Sequence, residues 1–162
     1  MARADDAVAD GRDETEAERL DRNWTELLQE LRVTQTGTQI LTGFLLTIPF
    51  QQRFGQLESF QLAIYLVMVA FAAAATILAL APVSLHRAMF RKGVKSTIVR
   101  WSNRLLIAAL ACVAITLTGV SLLIFDVVAG HPAGILAGSL TLIATLVAWL
   151  GLPAMTRRRE RG

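Results

Sequence analysis

The chain has few of the side chains on which catalysis and crosslinking depend: its 162 residues include one cysteine, one tyrosine and two histidines. The single cysteine, Cys112, excludes an intrachain disulfide and a CxxC redox motif. A phosphate-binding glycine loop, a nucleophile motif and a pair of catalytic carboxylates are also missing from the sequence. Asp126 and His131 alone offer too few ligands for a metal site. We therefore expect a protein that is not an enzyme and that uses no cofactor and no metal.

Formal charge is missing from four long stretches of the sequence, and this absence sets the class of protein. A chain with 54% hydrophobic residues and a mean hydropathy of +0.49 is too apolar for a soluble domain. Each stretch has the roughly 20 residues that a helix needs to cross a hydrocarbon core of about 30 Å. The sequence therefore predicts an all-α integral membrane protein, a four-helix transmembrane bundle, in one domain at 23–156. The predicted spans are about 33–52, 59–82, 105–126 and 132–153.

Lysine and arginine are distributed unevenly around these spans. The link between the second and third spans, residues 86–104, holds Arg87, Arg91, Lys92, Lys95, Arg100 and Arg104, and the basic tail 157–162 holds four more arginines. The positive-inside rule then places both termini in the cytoplasm, in a multi-pass protein of the inner (plasma) membrane. Apolar side chains separate the cations of the link, which indicates a basic cytoplasmic elbow on anionic lipid headgroups and not a nucleic-acid site.

The N-terminal segment carries almost no large apolar side chain. Residues 1–22 mix acidic and basic residues with alanine and glycine, a composition that predicts a disordered tail. Asn23, with Glu26 three positions later, is typical of a helix N-cap with its capping-box partner. The first helix is therefore expected to begin in the cytoplasm and to project from the membrane. We expect it to end near Pro49, because the residue before a proline is disfavoured in a helix.

Polar side chains interrupt the first span without adding charge. On a helical wheel, one arc of about 100° holds four of them: Gln35, Thr38, Gln39 and Thr42. Because unpaired amides and hydroxyls are costly in hydrocarbon, this polar stripe is expected to face water or protein, and its members are candidates for lining a pore. The leucines of the same arc are candidates for hydrophobic gates: Leu28, Leu31 and Leu46. The alternative is that the stripe hydrogen-bonds to neighbouring helices and only packs the bundle.

The two ends of the first helix carry further candidates for the mouths of a pore. They are Glu26, Glu30 and Arg32 on the cytoplasmic side and Gln51 and Gln52 on the outer side. A solvated collar of charge is the alternative interpretation of the cytoplasmic set. Amides in place of a ring of carboxylates at the outer end disfavour calcium selectivity.

The spans contain no central acidic or basic residue, although an ion-coupled antiporter generally needs one. Asp126 and His131 flank the outer turn between the third and fourth spans, where capping of the turn is the expected role and a proton site the alternative. Three glycines spaced by four, Gly130, Gly134 and Gly138, predict close helix packing. Their spacing leaves open whether the contact lies inside one subunit or between subunits.

Several motifs of the first helix and the basic link resemble those of a bacterial family of small membrane proteins. These motifs are NWTELLQELRVTQTG at 23–37, QIL at 39–41, FLL at 44–46, PF at 49–50, APV at 81–83 and HR at 86–87. The family is classed as domain of unknown function 6328. The resemblance covers 23–104 in recognisable motifs and the remaining spans in hydropathy. It implies a four-helix membrane protein without an established activity, and some members of the family are labelled sodium:proton antiporters.

Three functions remain open at the level of the sequence. The favoured one is a homo-oligomeric membrane protein that forms an ion pore or ion pathway lined by the polar first helix. The first alternative is a non-conducting accessory or scaffold protein that binds another membrane protein and anionic lipid. The second alternative is a secondary cation/proton antiporter. Because four helices alone enclose too little volume for a wide channel, the number of subunits decides between these functions.

Overall fold

Nearly all of the described chain is helical. The computed structural model describes residues 15–89 and 95–151 together with Met155. The four long helices are α1 (Glu16–Thr47), α2 (Ser59–Met89), α3 (Lys95–Ala129) and α4 (His131–Leu146). Two short 3-10 helices, Ile48–Phe50 and Phe54–Gln56, link α1 to α2, and α4 continues into the π-helical segment Val147–Gly151. No strand occurs in this part of the chain, and the predicted all-α class is confirmed.

α1 begins earlier than the sequence predicted. Its N-cap is Thr15, whose hydroxyl accepts from the backbone N–H of Glu18 at 3.3 Å, while the Glu18 carboxylate accepts from the backbone N–H of Thr15 at 2.9 Å. This capping box satisfies backbone donors that an uncapped helix end leaves unpaired. The predicted disorder is therefore wrong for residues 16–22, and Asn23, the predicted N-cap, lies inside the helix. Residues 1–14 lie outside the described part of the chain.

α1 ends at the predicted proline turn, where a side chain of α2 replaces a lost backbone donor. Pro49 has no N–H to donate to the carbonyl of Leu45, four residues earlier. The Leu45 carbonyl accepts instead from the N–H of Ile48 and from the hydroxyl of Tyr65, the latter at 2.9 Å. Tyr65 is buried, and the ring of Phe54 packs edge-on against it with centroids 5.1 Å apart. The turn is thereby held against α2.

The basic link, 86–104, is helical wherever the structure describes it, and the predicted cytoplasmic elbow on lipid headgroups stays a prediction. α2 continues to Met89 and α3 starts at Lys95, so most of this link belongs to the ends of two long helices. Arginine, lysine and methionine are good helix formers, and a link rich in them extends the neighbouring helices. Residues 90–94 lie outside the described part of the chain. In the first turns of α3, the guanidinium of Arg104 lies 5.6 Å from the ring centroid of Trp101, within reach of a cation–π interaction.

α2 and α3 form the centre of the bundle, and the other two helices pack on this pair. α1 contacts both α2 and α3, whereas α4 packs along α3 and leaves most of its own surface exposed. Two hydrophobic clusters hold α1 in place. The members of the first are Leu45, Tyr65, Met68, Ala72 and Leu123. Those of the second are Leu27, Leu31 and Leu106.

Three of the described helices are long and apolar enough to cross a membrane, at Ser59–Leu85, Val99–Ala129 and His131–Gly151. The chain is therefore a membrane protein. α1 is not among the three, because its glutamines and threonines lower its hydropathy. It nevertheless lies beside α2, since hydrogen bonds join Gln35 to Ala79 and Leu45 to Tyr65. Residues 35–45 thus lie level with an apolar span, and the crossing of the membrane by α1 stays a prediction.

Candidate functional site

The polar stripe of α1 meets α2 at its first member, Gln35. The Gln35 amide donates to the Ala79 carbonyl, with an Nε2–O distance of 3.0 Å. Ala79 lies three residues before Pro82, which sits inside α2 and interrupts its backbone hydrogen-bond ladder. The carbonyl that loses its helical donor at Pro82 is that of Leu78, so the neighbouring Ala79 carbonyl accepts the Gln35 amide with its second lone pair. Gln35 therefore bridges two helices of one subunit.

The two threonines of the stripe are also engaged within the subunit. Thr42 Oγ1 lies 3.4 Å from the Ala72 carbonyl oxygen and 3.3 Å from Thr76 Oγ1, both on α2. Thr38 is 3% exposed and donates to the Gln35 carbonyl of its own helix at 3.0 Å. Three of the four candidates for lining a pore thus make hydrogen bonds inside one subunit, as residues that only pack a bundle would.

Gln39, the fourth member of the stripe, is exposed and has no hydrogen-bond partner among the described residues. It borders an open groove of about 410 Å³ between α1 and α2, which we call the α1–α2 groove. The residues that line the groove are Gln39, Thr42, Gly43 and Leu46 of α1 and Ala73, Thr76 and Ile77 of α2. No atom lies within 4 Å of the place that a Cβ on Gly43 would take, so this wall is open to a neighbour. The two threonines that line the groove, Thr42 and Thr76, make hydrogen bonds within the subunit. The side-chain amide of Gln39 is therefore the polar group of this surface that lacks a partner among the described residues.

The leucines predicted as gates do not share one surface. Leu31 is 1% exposed and packs with Leu27 and with Leu106 of α3. It is a core residue, so its predicted role as a gate is wrong. The physical reason is that the start of α1 packs against Leu106 of α3, which buries an arc that would be free on a lone helix. Leu28 and Leu46 are exposed.

The residues predicted to meet water or lipid headgroups lie at the surface wherever the structure describes their side chains. Those at the two ends of the first helix are Glu26, Glu30, Arg32, Gln51 and Gln52. Those of the basic link are Arg87, Arg100 and Arg104. Arg91, Lys92 and the side chain of Lys95 lie outside the described part of the chain.

A second polar site, the Asp126 cluster, lies where the starts of α2 and α4 meet the end of α3. The Asp126 carboxylate accepts from the Gln61 amide at 2.7 Å, and its other oxygen lies 2.7 Å from Nδ1 of His131. The Asp126 side chain is 6% exposed, whereas that of His131 is 55% exposed. The His131 ring packs edge-on against Phe60, with centroids 4.7 Å apart. These contacts tie three helices together at one end of the bundle.

The composition of the Asp126 cluster limits its chemistry. Asp126 is the one buried acidic or basic side chain among those whose burial the structure describes. No group of three or more His, Cys, Asp and Glu side chains that could hold a metal ion occurs in the described part of the chain. An imidazole that contacts a buried carboxylate and is itself half exposed can pass a proton between that carboxylate and water. Proton exchange is therefore the chemistry that this site can support.

Glycines bring α4 close enough to α3 to build this site. A Cβ on Gly134 would lie 2.7 Å from Asp126 Cβ and 2.9 Å from the Leu122 carbonyl oxygen, and one on Gly138 would lie 3.0 Å from Leu122 Cβ. The glycine spacing therefore packs α4 within the subunit, which answers the question left open by the sequence. Gly130 differs, because nothing lies within 4 Å of its Cβ position and its φ of 88° suits only glycine well. Its predicted packing role is wrong, since it forms the turn and caps α4.

Sequence reasoning missed Gln61 and Tyr65, which anchor the first turns of α2. Both interrupt the uncharged second span with a polar group, and their spacing of four places them on one helix face. Two polar groups on one face of an apolar span indicate a contact with another helix, and this pattern could have identified both residues. Their partners, Asp126 and the Leu45 carbonyl, are distant in the sequence and only the fold brings them together.

Comparison with known proteins identifies the family of the chain. The model of a family of unknown function (DUF6328) matches residues 13–153, which include all four helices. This confirms the resemblance seen in the first helix. No curated protein and no solved structure gives a significant match.

Proposed function

We propose that this chain, which belongs to the family of unknown function DUF6328, is a non-conducting and non-enzymatic assembly subunit that binds another membrane protein. One observation carries the proposal. Gln39 lies level with an apolar span, exposed at the α1–α2 groove, and has no hydrogen-bond partner in the described part of the chain. An unpaired amide facing hydrocarbon costs on the order of 1 kcal/mol or more, and a helix packed into the groove would supply its partner.

The contacts of the stripe favour this function over an ion pore lined by α1. A pore helix must turn its polar groups toward the permeating ion, where they replace part of its hydration shell. Gln35 and Thr42 turn theirs toward α2, and Thr38 is buried. In a pore formed by several copies, Gln39 would be the main polar residue of the stripe left to line the pathway.

The orientation of the chain is part of the proposal. Arg87, Arg100 and Arg104 are exposed at the ends of α2 and α3 that adjoin the basic link. With both termini in the cytoplasm of the inner membrane, these cations would lie level with anionic lipid headgroups. The Asp126 cluster would then lie at the opposite, outer end of the bundle.

A flux assay tests the proposal. Folded purified protein in liposomes should pass no ions above the level of protein-free liposomes under any gradient or voltage, while native mass spectrometry of protein extracted from its own membrane should detect an assembly larger than one subunit. Ion flux that Gln39→Leu abolishes and Ile40→Leu leaves intact would overturn the proposal in favour of a pore. Ile40 is the matched control, because it is exposed at the same depth on another face of α1.

A second candidate function is proton-coupled cation exchange at the Asp126 cluster. The observation that favours it is the buried carboxylate in contact with the half-exposed imidazole of His131. Asp126→Asn should abolish pH-driven cation uptake into liposomes if this function is correct. Glu58→Gln is the control, because Glu58 is an exposed carboxylate just before α2, near the same end of the bundle. Uptake that survives Asp126→Asn, or that is absent from the wild type, would remove this candidate.

A further inference from the structure

We infer that the occupant of the α1–α2 groove is a second copy of this chain, joined through a mutual hydrogen bond between the two Gln39 amides. The inference rests on the proposed function and adds the identity of the partner. It concerns the surface formed by Gln39, Gly43 and Leu46 on α1 and by Ala73 and Ile77 on α2.

The membrane favours a copy of the same chain as the partner of Gln39. In a dimer of two copies inserted in the same direction and related by a two-fold axis along the membrane normal, each residue lies at the same depth as its counterpart, and residues near the axis contact their counterparts. A partner of another sequence would need a polar group placed by chance at the depth of Gln39. A second copy carries that group at the right depth by symmetry.

The chemistry of the amide also suits pairing with itself. A glutamine side chain is both a donor and an acceptor, so two of them facing each other across an axis can each donate to the other. A lysine or a carboxylate in the same place would repel its own copy. The hydroxyls of Thr34, Thr36 and Thr47 on α1 have no such need, because they donate to carbonyls of their own helix.

The shape of the groove allows a helix to come close. Gly43 lies one turn beyond Gln39 and has empty space where a Cβ would be. Ala73, on the facing wall, adds only a methyl group. Small residues at a helix contact let backbones approach, so nothing in this part of the groove keeps a second helix away from the Gln39 amide. Leu46 and Ile77 are exposed at the groove and would be covered in the dimer.

The opposite face of α1 has the character of a lipid contact. Val33, Ile40 and Phe44 are 76%, 57% and 70% exposed, and none of them needs a polar partner. Large apolar side chains of this kind are solvated by lipid tails as well as by protein, so they give no reason for association. This difference between faces makes α1 suitable for a controlled test.

Thiol crosslinking in native membranes tests the inference directly. In a Cys112→Ala background, which removes the single native cysteine, Gln39→Cys should form a covalent species of twice 17.6 kDa with a short thiol-to-thiol crosslinker, which spans the distance that two glutamine side chains occupy. Ile40→Cys, at the same depth on the lipid-facing side, should stay monomeric. Failure of Gln39→Cys to crosslink, or equal crosslinking of both variants, would overturn the inference.

A measurement of dimer dissociation in micelles complements the crosslinking and keeps the native Cys112. Gln39→Leu should weaken the dimer about 3- to 30-fold, the range expected for side-chain hydrogen bonds within membranes. Ile40→Leu should leave the dissociation constant within about two-fold of the wild type. An unchanged constant for Gln39→Leu would also overturn the inference.

The outcomes separate this inference from the proposed function. If Gln39→Cys does not crosslink but the wild type still associates through another face, the groove inference fails and the assembly function stands. If the wild type is monomeric in membranes and in micelles and binds no other protein, both fail. A dimer that crosslinks at Gln39 supports both.

Discussion

The α3–α4 contact and the α1–α2 contact join helices in the same molecule by different means. α4 meets α3 through glycines, so closely that a Cβ on Gly134 would lie 2.9 Å from a carbonyl oxygen of α3. α1 meets α2 through long side chains, with Gln35 reaching the Ala79 carbonyl and Tyr65 reaching the Leu45 carbonyl. Beside these bridges, the α1–α2 contact leaves an open groove.

The difference follows from what drives association where lipid competes with protein for apolar surface. Lipid tails solvate leucine as well as another helix does, so helices need either close backbone packing or hydrogen bonds to associate. α4 has glycines and mainly uses the first means, although Thr141 also donates to Ser121 and His131 contacts Asp126 across this contact. α1 has amides and hydroxyls, and it uses the second. The α1–α2 contact leaves the Gln39 amide free for a further partner, whereas the polar side chains at the α3–α4 contact, such as Asp126 and Thr141, bond to neighbouring side chains.

The largest loss of stability is expected from adding a methyl group where α3 and α4 are in close contact. Gly134→Ala places a methyl group against Asp126 and Leu122, so α4 must move away, and we expect a loss of about 3 kcal/mol in the free energy of unfolding. The measurement is the unfolding midpoint of the detergent-solubilised protein. Gly37→Ala is the control, because its Cβ position is empty and alanine favours a helix by about 1 kcal/mol over glycine. Equal midpoints for the two variants would contradict the assigned role of the α3–α4 contact.

A smaller effect is expected from removing the bridge between α1 and α2. Gln35→Leu deletes the hydrogen bond to the Ala79 carbonyl and should cost about 1–2 kcal/mol of subunit stability. Gln39→Leu should not destabilise the isolated subunit, because Gln39 makes no hydrogen bond within it. The two variants compare the same substitution one turn apart on one helix. Unfolding of monomeric protein in micelles measures the difference, and a reversed order would show that the bridge is not stabilising.

The hydrogen bond from Tyr65 to α1 is expected to contribute less than the Gln35 bridge. Tyr65→Phe should lower the free energy of unfolding by about 0.6 kcal/mol. The Leu45 carbonyl keeps the N–H of Ile48 as a donor after the hydroxyl is removed. Pro49→Ala restores the backbone N–H that the proline lacks, so Tyr65→Phe should cost less in that background. A double-mutant cycle on the unfolding free energy measures this coupling. Strict additivity of the two changes would contradict a shared role at the Leu45 carbonyl.

The smallest expected effect is a pH-dependent loss of the helix cap, confined to the first turn of α1. The hydroxyl and the backbone N–H of Thr15 both donate to Glu18 and lower the pKa of its carboxyl. A lowered pKa in the folded helix means that the cap is stabilising above the carboxyl's ordinary pKa and is lost as the pH falls through the folded value. Amide hydrogen exchange of residues 16–19 should therefore quicken below about pH 4.

Glu18→Gln is the control for this titration, because glutamine also fits a capping box and does not ionise. Once the intrinsic pH dependence of exchange is removed, this variant should show no pH-dependent fraying over the same range. The same fraying in both proteins would show that another group controls the start of α1.

The sequence predicted helices and turns well where local chemistry decides them. Uncharged apolar runs located α2, α3 and α4, and Pro49 located the end of α1. The start of α1 was also readable, because Thr15 and Glu18 have the spacing of a capping box. The prediction of disorder rested on the charged composition of residues 1–22, although charged residues such as glutamate and arginine are good helix formers.

The site was less predictable, because residues of the same type on the same arc of α1 have different surroundings in the fold. Gln35 and Gln39 lie one turn apart on the same arc, yet one bonds to α2 and the other is exposed. Leu28 and Leu31 also share that arc, and only Leu31 is buried in the core. Helical periodicity describes a helix alone, whereas these differences depend on where α2 and α3 cross it. The same holds for Gln61, whose partner Asp126 is 65 residues away in the sequence.

The turn between α3 and α4 has a consequence for how the chain enters the membrane during synthesis. One residue, Gly130, separates the two helices, so the insertion machinery has almost no hydrophilic loop to translocate at this point. In the proposed orientation the polar groups that cross the membrane here are Asp126 and His131, and in the folded hairpin they contact each other. A paired carboxylate and imidazole are less costly to move through hydrocarbon than two separate ones. We therefore expect α3 and α4 to be inserted together as a preformed hairpin.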